Sequence, residues 1–475
     1  MSTIAFGTSG WRGIIAEDFT FTGVRAVSQA IGEHVRSLDR GAGERGVVIG
    51  YDTRFLSEAF AAQVARVLAA QGVKALLCER DTPTPAVASE ILRRQAAGGV
   101  MVTGGDDPPE VNGLAFSEAW GGVAPPGVTR RIQERANALL LGPRIAEIPS
   151  DTAEAQGLIE RIDPRDAYLE RLRSLVSLEM IREAQLRVVI DPLYGSAQGY
   201  LDTALRDAGC DVRVLHSWRD PHFGGHAPEP SADRLEELGF HVAESSAHLG
   251  LATDGDAGRF GLVDADGTFV EANYFLGLLL RHLVVTRGWR GGVARSVATS
   301  HLVDAAARRL GIPVYETPVG FAFIAELVAK DAVVLGGEES AGLSVTGHVP
   351  EKDGILACLL AVELVASRGG ARLRTLLQEL YAEVGTFLDR RADYRLERGM
   401  ADGLQERLRQ PPGSLAGLAV IEVNRLDGVK MILEDGSWLL VRILGEEQAV
   451  RLYAEASTRE QLDRLLTAGE GLIGR

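Results

Sequence analysis

Met101-Val-Thr-Gly-Gly-Asp-Asp-Pro-Pro-Glu-Val-Asn-Gly-Leu-Ala-Phe116 runs from an apolar segment straight into a loop rich in glycine and proline. Gly99 to Thr103 is short, apolar and bounded by turn signals, which predicts a buried strand. The loop from Gly104 therefore leaves the carboxyl end of a strand, the place where open α/β sheets gather their ligand sites. Gly105 is read as a residue that keeps this loop tight, because glycine alone enters left-handed backbone without penalty.

Working outward, the same rhythm recurs on both sides. Gly46 to Asp52 reads as a buried strand, Leu56 to Gln71 as the helix after it, and Lys74 to Cys78 as the next strand. The pattern restarts at Leu186 to Asp191, with Asp211 to Leu215 and Leu249 to Thr253 following. It restarts again at Gly291 to Ser296, with Ile312 to Tyr315 and Ala332 to Leu335. Three units of similar length, each ending in Gly/Asp-rich loops, predict repeated α/β layers. The C-terminal portion differs: Val429 to Leu433, Ser437 to Arg442 and Val450 to Glu455 alternate as strands, with a Glu434 to Ser437 hairpin. A small α+β domain is expected there. The expected divisions are 1–150, 151–263, 264–380 and 381–475.

Bulk properties narrow the function. The chain has 475 residues, 46% hydrophobic and 24% charged, too many for one core. Its net charge of −15 argues against nucleic acid as partner, since phosphate backbones need basic surfaces. No apolar run reaches the ~18 residues of a membrane span, and the N-terminal residues lack a signal peptide's pattern. The expectation is cytoplasmic. Cys78, Cys210 and Cys358 are too few and scattered for a disulfide frame, so reduced buried thiols are expected.

Five segments together resemble the α-D-phosphohexomutases, the phosphoglucomutase/phosphomannomutase family. They are Phe6-Gly-Thr-Ser-Gly-Trp-Arg-Gly13, the 101–116 loop, Thr82-Pro-Thr-Pro-Ala86, Asp254-Gly-Asp-Ala-Gly-Arg259 and Gly336-Gly-Glu-Glu-Ser-Ala-Gly342. Each Gly-rich piece is weak alone, and their common order along the chain carries the likeness. The resemblance implies three α/β/α domains and a smaller C-terminal α+β domain around a central cleft. It also implies a phosphoryl shuttle from a phosphoserine to a sugar hydroxyl, assisted by a divalent metal and by bases.

The likeness fails where that chemistry lies. The family's loop usually reads Thr-Ala-Ser-His-Asn-Pro-Pro-Glu-Tyr-Asn-Gly-Ile-Lys; here Gly105 stands at the serine, Asp106 at the histidine and Ala115 at the lysine. Asp106 or Asp107 remains as an alternative carboxylate carrier, and Thr103 as a hydroxyl two positions back. The metal loop keeps Asp254 and Asp256 but has Gly258 at the third aspartate. Two carboxylates and waters can hold Mg²⁺, with Asp106 or Asp107 crossing the cleft to replace a ligand. They equally cap a turn with no metal.

Ala322 occupies a second lysine's position in Thr317-Pro-Val-Gly-Phe-Ala322. Arg442-Ile-Leu-Gly-Glu-Glu-Gln448 matches a phosphate loop whose hydroxyls have become Leu444 and Glu446, leaving Arg442 and Gly445. Arg12, Arg259, Glu338 and Ser340 remain as the resemblance's candidates for substrate contact, with His348 near them. His222 and His226 are spaced like metal ligands but lack a third, so solvated histidines on a turn are expected.

The leading expectation is a pseudoenzyme of carbohydrate metabolism with a binding, regulatory or assembly role. Its partners would be a weakly held hexose or hexose phosphate, or an active relative or other protein. The alternatives are a phosphotransferase using Asp106 or Asp107, and a module binding an unphosphorylated or differently charged glycan.

Overall fold

The computed structural model describes residues 3–396, 400–444 and 449–474. The first sheet is built from β1 (Phe6–Gly7), β2 (Gly10–Ile14), β3 (Val47–Tyr51), β4 (Ala75–Cys78), β5 (Gly98–Val102), β6 (Val111–Glu118) and β7 (Ile159–Ile162). Their order is β1-β2-β6-β5-β3-β4-β7. β5 pairs in parallel with β3 and antiparallel with β6, which places it inside the sheet. All five residues of β3 and of β5 are buried, the continuous apolar pattern of strands covered on both faces. The helix Phe21–Leu38 starts at Thr20, whose hydroxyl accepts from the Gly23 N–H.

The second sheet joins β8 (Arg187–Asp191), β9 (Asp211–Val214), β10 (Leu249–Thr253), β11 (Phe260–Asp264) and β12 (Phe269–Val270) in the order β12-β11-β10-β8-β9. The third joins β13 (Gly292–Ser296), β14 (Val314–Thr317), β15 (Val333–Gly337) and β16 (Leu343–Val345) as β14-β13-β15-β16. β7 belongs to the first sheet and β12 to the second, so the sheets part beyond the expected seams at 150 and 263. β14 also begins two positions after the Ile312 start expected for it.

The second and third domains are not independent cores. The helix Gly354–Ser367 is buried on nearly every side and lies in one hydrophobic cluster with Leu251 and Leu262 of the second sheet and Val293 and Leu335 of the third. A helix apolar all round has no solvent face to offer, and this one seams two domains together.

The C-terminal domain is a six-stranded antiparallel sheet of β17 (Leu388–Arg395), β18 (Ser414–Leu415), β19 (Leu418–Asn424), β20 (Val429–Leu433), β21 (Trp438–Leu444) and β22 (Ala449–Ala456). The helices Met400–Arg409 and Arg459–Ile473 contribute Leu404, Leu408, Leu462 and Leu465 to the core on one of its faces. Trp438, Leu440 and Tyr453 on the other face pack against Val297 and Ala298 of the third domain. The hairpin expected at 434–437 is present between β20 and β21. Among the described residues no helix is long and apolar enough to cross a membrane.

Candidate active site

The 104–110 loop is held from beneath by one buried arginine. Arg54 follows β3 and is 0% exposed. Its guanidinium donates to the carbonyls of Gly105 (2.7 Å), Asp107 (2.6 Å), Pro108 (2.7 Å) and Val111 (3.0 Å). Asp52 balances its charge at 3.1 Å and also accepts from Thr103 Oγ1 at 2.7 Å. The sequence reading missed this pair. Its signal was an Asp-x-Arg directly after a buried strand, a place where charges survive only when partnered.

Gly105 has φ of +54°, and a Cβ built there would approach the Arg12 guanidinium at 3.3 Å. Arg12 meets Asp107 at 3.5 Å. The nearest upstream hydroxyl, Thr103 Oγ1, is engaged twice, donating to Asp52 and accepting from the Gly105 N–H at 2.7 Å. Thr103 is 2% exposed, so that oxygen is shut away from the cleft.

The metal-type loop of the second domain lies against this one. A Cβ on Gly255 would meet the Gly105 carbonyl at 2.6 Å, so the two backbones touch. Asp106 reaches across and pairs with Arg259 at 2.7 Å. Burial pushes the Asp106 carboxyl up, but Arg259 and Arg12 outweigh it and hold the group below its ordinary value. Asp107 moves the other way, raised chiefly by burial. Asp254 is pushed well above the carboxylate range by burial and by the neighbouring charges of Asp256 and Asp106.

The two aspartates are turned inward onto their own loop. Asp254 Oδ1 accepts from the Arg259 N–H at 2.9 Å, and Asp256 Oδ1 from the Gly258 N–H at 3.3 Å. Asp256 Oδ2 accepts from Thr84 Oγ1 at 2.6 Å. Among the described residues, no group of three or more His, Cys, Asp or Glu side chains is placed to hold a metal ion. Asp106, the expected replacement ligand, is committed to Arg259 instead. Asp254 and Asp256 are the two carboxylates this loop would offer a divalent cation, and each already accepts a hydrogen bond within the loop.

The third domain closes the cleft. Arg259 forms a bridge with Gly342, and the Phe260 N–H donates to the Ala341 carbonyl at 3.2 Å. Glu338 is buried and accepts from the Gly320 N–H at 2.8 Å. Burial and the adjacent Glu339 push its carboxyl up to about 7. Ser340 is half-buried on the wall of a neighbouring pocket. His348 does not join this group. Its Nε2 lies 2.6 Å from Asp353, which also accepts from Tyr168 at 2.7 Å.

Lys352 was not singled out by the sequence reading, yet it belongs here. Its side-chain carbons pack beside Gly258 and Gly342, and its charge lowers both Asp106 and Glu338. A cation thus reaches the cleft from the segment between β16 and the helix Gly354–Ser367. Arg442 is ion-paired with Asp427 at 3.0 Å, while Gly445 and Glu446 lie outside the described residues. His222 and His226 are exposed.

Comparison with known proteins agrees with this architecture. Three successive segments match phosphoglucomutase/phosphomannomutase α/β/α domains: residues 3–141 domain I, 166–267 domain II and 271–384 domain III. A probable phosphoglucosamine mutase of Methanothermobacter thermautotrophicus is 31% identical, over 96% of this chain and 94% of its own length. The chain belongs to the phosphohexomutase family. A second phosphohexomutase, the phosphoglucomutase/phosphomannomutase of Thermococcus kodakarensis, is 28% identical over 98% of both chains. A structure from Thermus thermophilus assigned to phosphomannomutase superposes over the whole of both chains with a TM-score of 0.86 and 32% identity. The phosphohexomutase frame is therefore complete across the first three domains.

Proposed function

We propose that this phosphohexomutase-family protein binds a hexose or hexose phosphate in its central cleft without ferrying phosphate through residue 105. It then serves a binding, regulatory or assembly role in carbohydrate metabolism. One observation carries this reading: Gly105 offers no side-chain oxygen, and its neighbour Asp106 already places a carboxylate on Arg259 at 2.7 Å. A fixed negative charge stands in the cleft where a transferable one would come and go. Phosphoryl transfer works by positioning and by neutralising charge on the moving group. The ionised Asp106 opposes a phosphate dianion there and already occupies Arg259. Mannose 1-phosphate and glucose 1-phosphate, supplied with Mg²⁺ and a bisphosphate activator, should give no isomerised product. Mass spectrometry of the purified chain should find no covalent phosphate. Robust turnover by contaminant-free protein would overturn the proposal.

A second reading has its own support, since Asp106 lies beside Arg259 and Arg12 and stays ionised. As an acyl-phosphate carrier it would be phosphorylated on a carboxylate oxygen. Hydroxylamine-labile phosphate that disappears in Asp106→Asn would establish that reading in place of the first.

A further inference from the structure

The seam between the third and fourth domains encloses a lysine. Lys430 stands on β20 and is 0% exposed. Its Nζ donates to the Val297 carbonyl at 2.8 Å, lies 2.9 Å from His301 Nε2 and sits 3.8 Å from the centre of the Trp438 ring. Neither hydrogen-bond partner is a carboxylate. The choice of residue matters. Of the 50 lysines and arginines in the chain only four are lysines: Lys74, Lys330, Lys352 and Lys430. Arginine stays charged at every working pH and is the usual residue of buried and interface ion pairs. A desolvated lysine gives up its proton. A chain that uses arginine at nearly every basic position places here a side chain that can become neutral.

Charged groups face Lys430 from both domains. Arg295 of β13 is 4% exposed and pairs with Asp304 and Glu316. Burial, then the Arg295 charge, drives the Lys430 amine from 10.5 down to about 7, against the pull of Glu316, Glu455 and Asp304. Burial and the charges of Lys430, Arg295 and Arg308 hold the His301 imidazole far below its ordinary value. On the fourth domain, burial pushes the Glu455 and Asp389 carboxyls up.

The seam is built to part. The chain crosses it once, at Gly385 (φ +96°), between the helix Leu373–Val384 and β17. Its other polar contacts include single hydrogen bonds that water can replace. The Val319 N–H donates to Asp427 at 3.0 Å, the His301 N–H to Glu455 at 3.2 Å, and Asn424 to Glu316 at 2.6 Å. Asp427 also pairs with Arg442, and Gly320, next to Val319, donates to Glu338 of the cleft. Seating of the fourth domain therefore bears on the cleft wall.

We propose that Lys430 makes this seating a proton-releasing step: the fourth domain settles on the third as the amine sheds its proton, and lifts as acid restores it. Lifted into water, the lysine regains its ordinary value of 10.5. Seating then releases a proton wherever the pH lies between about 7 and 10.5, so rising pH over that range favours the seated form, by up to about tenfold per pH unit. Glu455 and Asp389 work the other way: they take up protons on seating and weaken the seam as pH rises through their folded values. The linkage is independent of whether residue 105 or 106 carries phosphate.

Amide exchange of the full chain tests it, read as protection factors at Val319 and His301, whose N–H groups are paired across the seam. Above pH ~7 protection should rise by up to about tenfold per pH unit in the parent chain. Lys430→Met keeps the stem without the amine and should lack that rise, leaving only the opposite trend of the carboxyls. Lys430→Arg keeps charge and donors but does not titrate, and should lack it as well. Among ¹³C-labelled lysine side chains of the parent, one signal should titrate near 7 and be missing from either variant. No lysine titrating near 7 overturns the proposal. So does parent protection that stays level or falls with pH, or a rise of equal size in a folded variant.

Discussion

At position 105 the absence of a side chain and the backbone geometry point the same way. With φ at +54°, a serine there takes on left-handed strain of about 1–2 kcal/mol. Gly105→Ser should lower stability by that amount in urea unfolding and should not restore mutase turnover, because Ala115 and Ala322 are still without lysine. Full activity in this single variant would show that the surrounding cleft is intact. Asp254 offers the opposite case, a buried carboxylate raised by burial and by Asp256 and Asp106. Asp254→Asn keeps the oxygen that accepts from Arg259 and removes the repulsion, so it should stabilise by roughly 0.5–2 kcal/mol. Mg²⁺ should leave the melting temperature of the parent chain unchanged, and a clear upward shift would reinstate the metal. Glu338 sets a pH dependence. Its folded pKa of about 7 lies above the ordinary glutamate value of 4.5. Between those values the folded chain keeps a proton that the unfolded chain has released, so this group's contribution falls as pH rises from 4.5 to about 7. Glu338→Gln should flatten that part of the stability profile.

Among elements, the loop after β5 behaves as one unit because a single guanidinium spans it. Arg54→Met removes donors from four loop carbonyls and leaves Asp52 buried without its counter-charge. A loss of about 3–5 kcal/mol is expected for breaking such a pair, with new proteolytic cleavage within 104–112. Retained protection of that loop would mean its prolines hold it alone. Most strands were legible from sequence, since β3, β5 and β10 are continuous apolar runs bounded by glycine or polar turns. β17 was not. Leu388-Asp-Arg-Arg-Ala-Asp-Tyr-Arg395 carries charge on both faces, and only pairing along its full length with β22 makes it a strand. The sharing of one core by the second and third domains was not legible either, because a helix's apolar girth does not say how many sheets will share it.

Across the whole molecule, the fourth domain is fastened to the third by buried polar groups as well as by apolar packing. Lys430 is 0% exposed, donates to the Val297 carbonyl at 2.8 Å, lies 2.9 Å from His301 Nε2 and sits 3.8 Å over the Trp438 ring. Trp438→Ala should cost about 3–5 kcal/mol and loosen this domain, seen as faster amide exchange in β20 to β22 with the first domain unchanged. The chain by itself determined the family frame, the strand-to-loop junction at 103–105 and the absence of a side chain at 105, because these depend on residue type and local order. Only the folded molecule decided that Asp106 meets Arg259, that Lys352 enters the cleft, and that Asp389 faces Glu455. Each of those contacts joins residues from separate loops or strands, far apart along the chain. Charge energies depend on distance and burial through space, and linear order specifies neither.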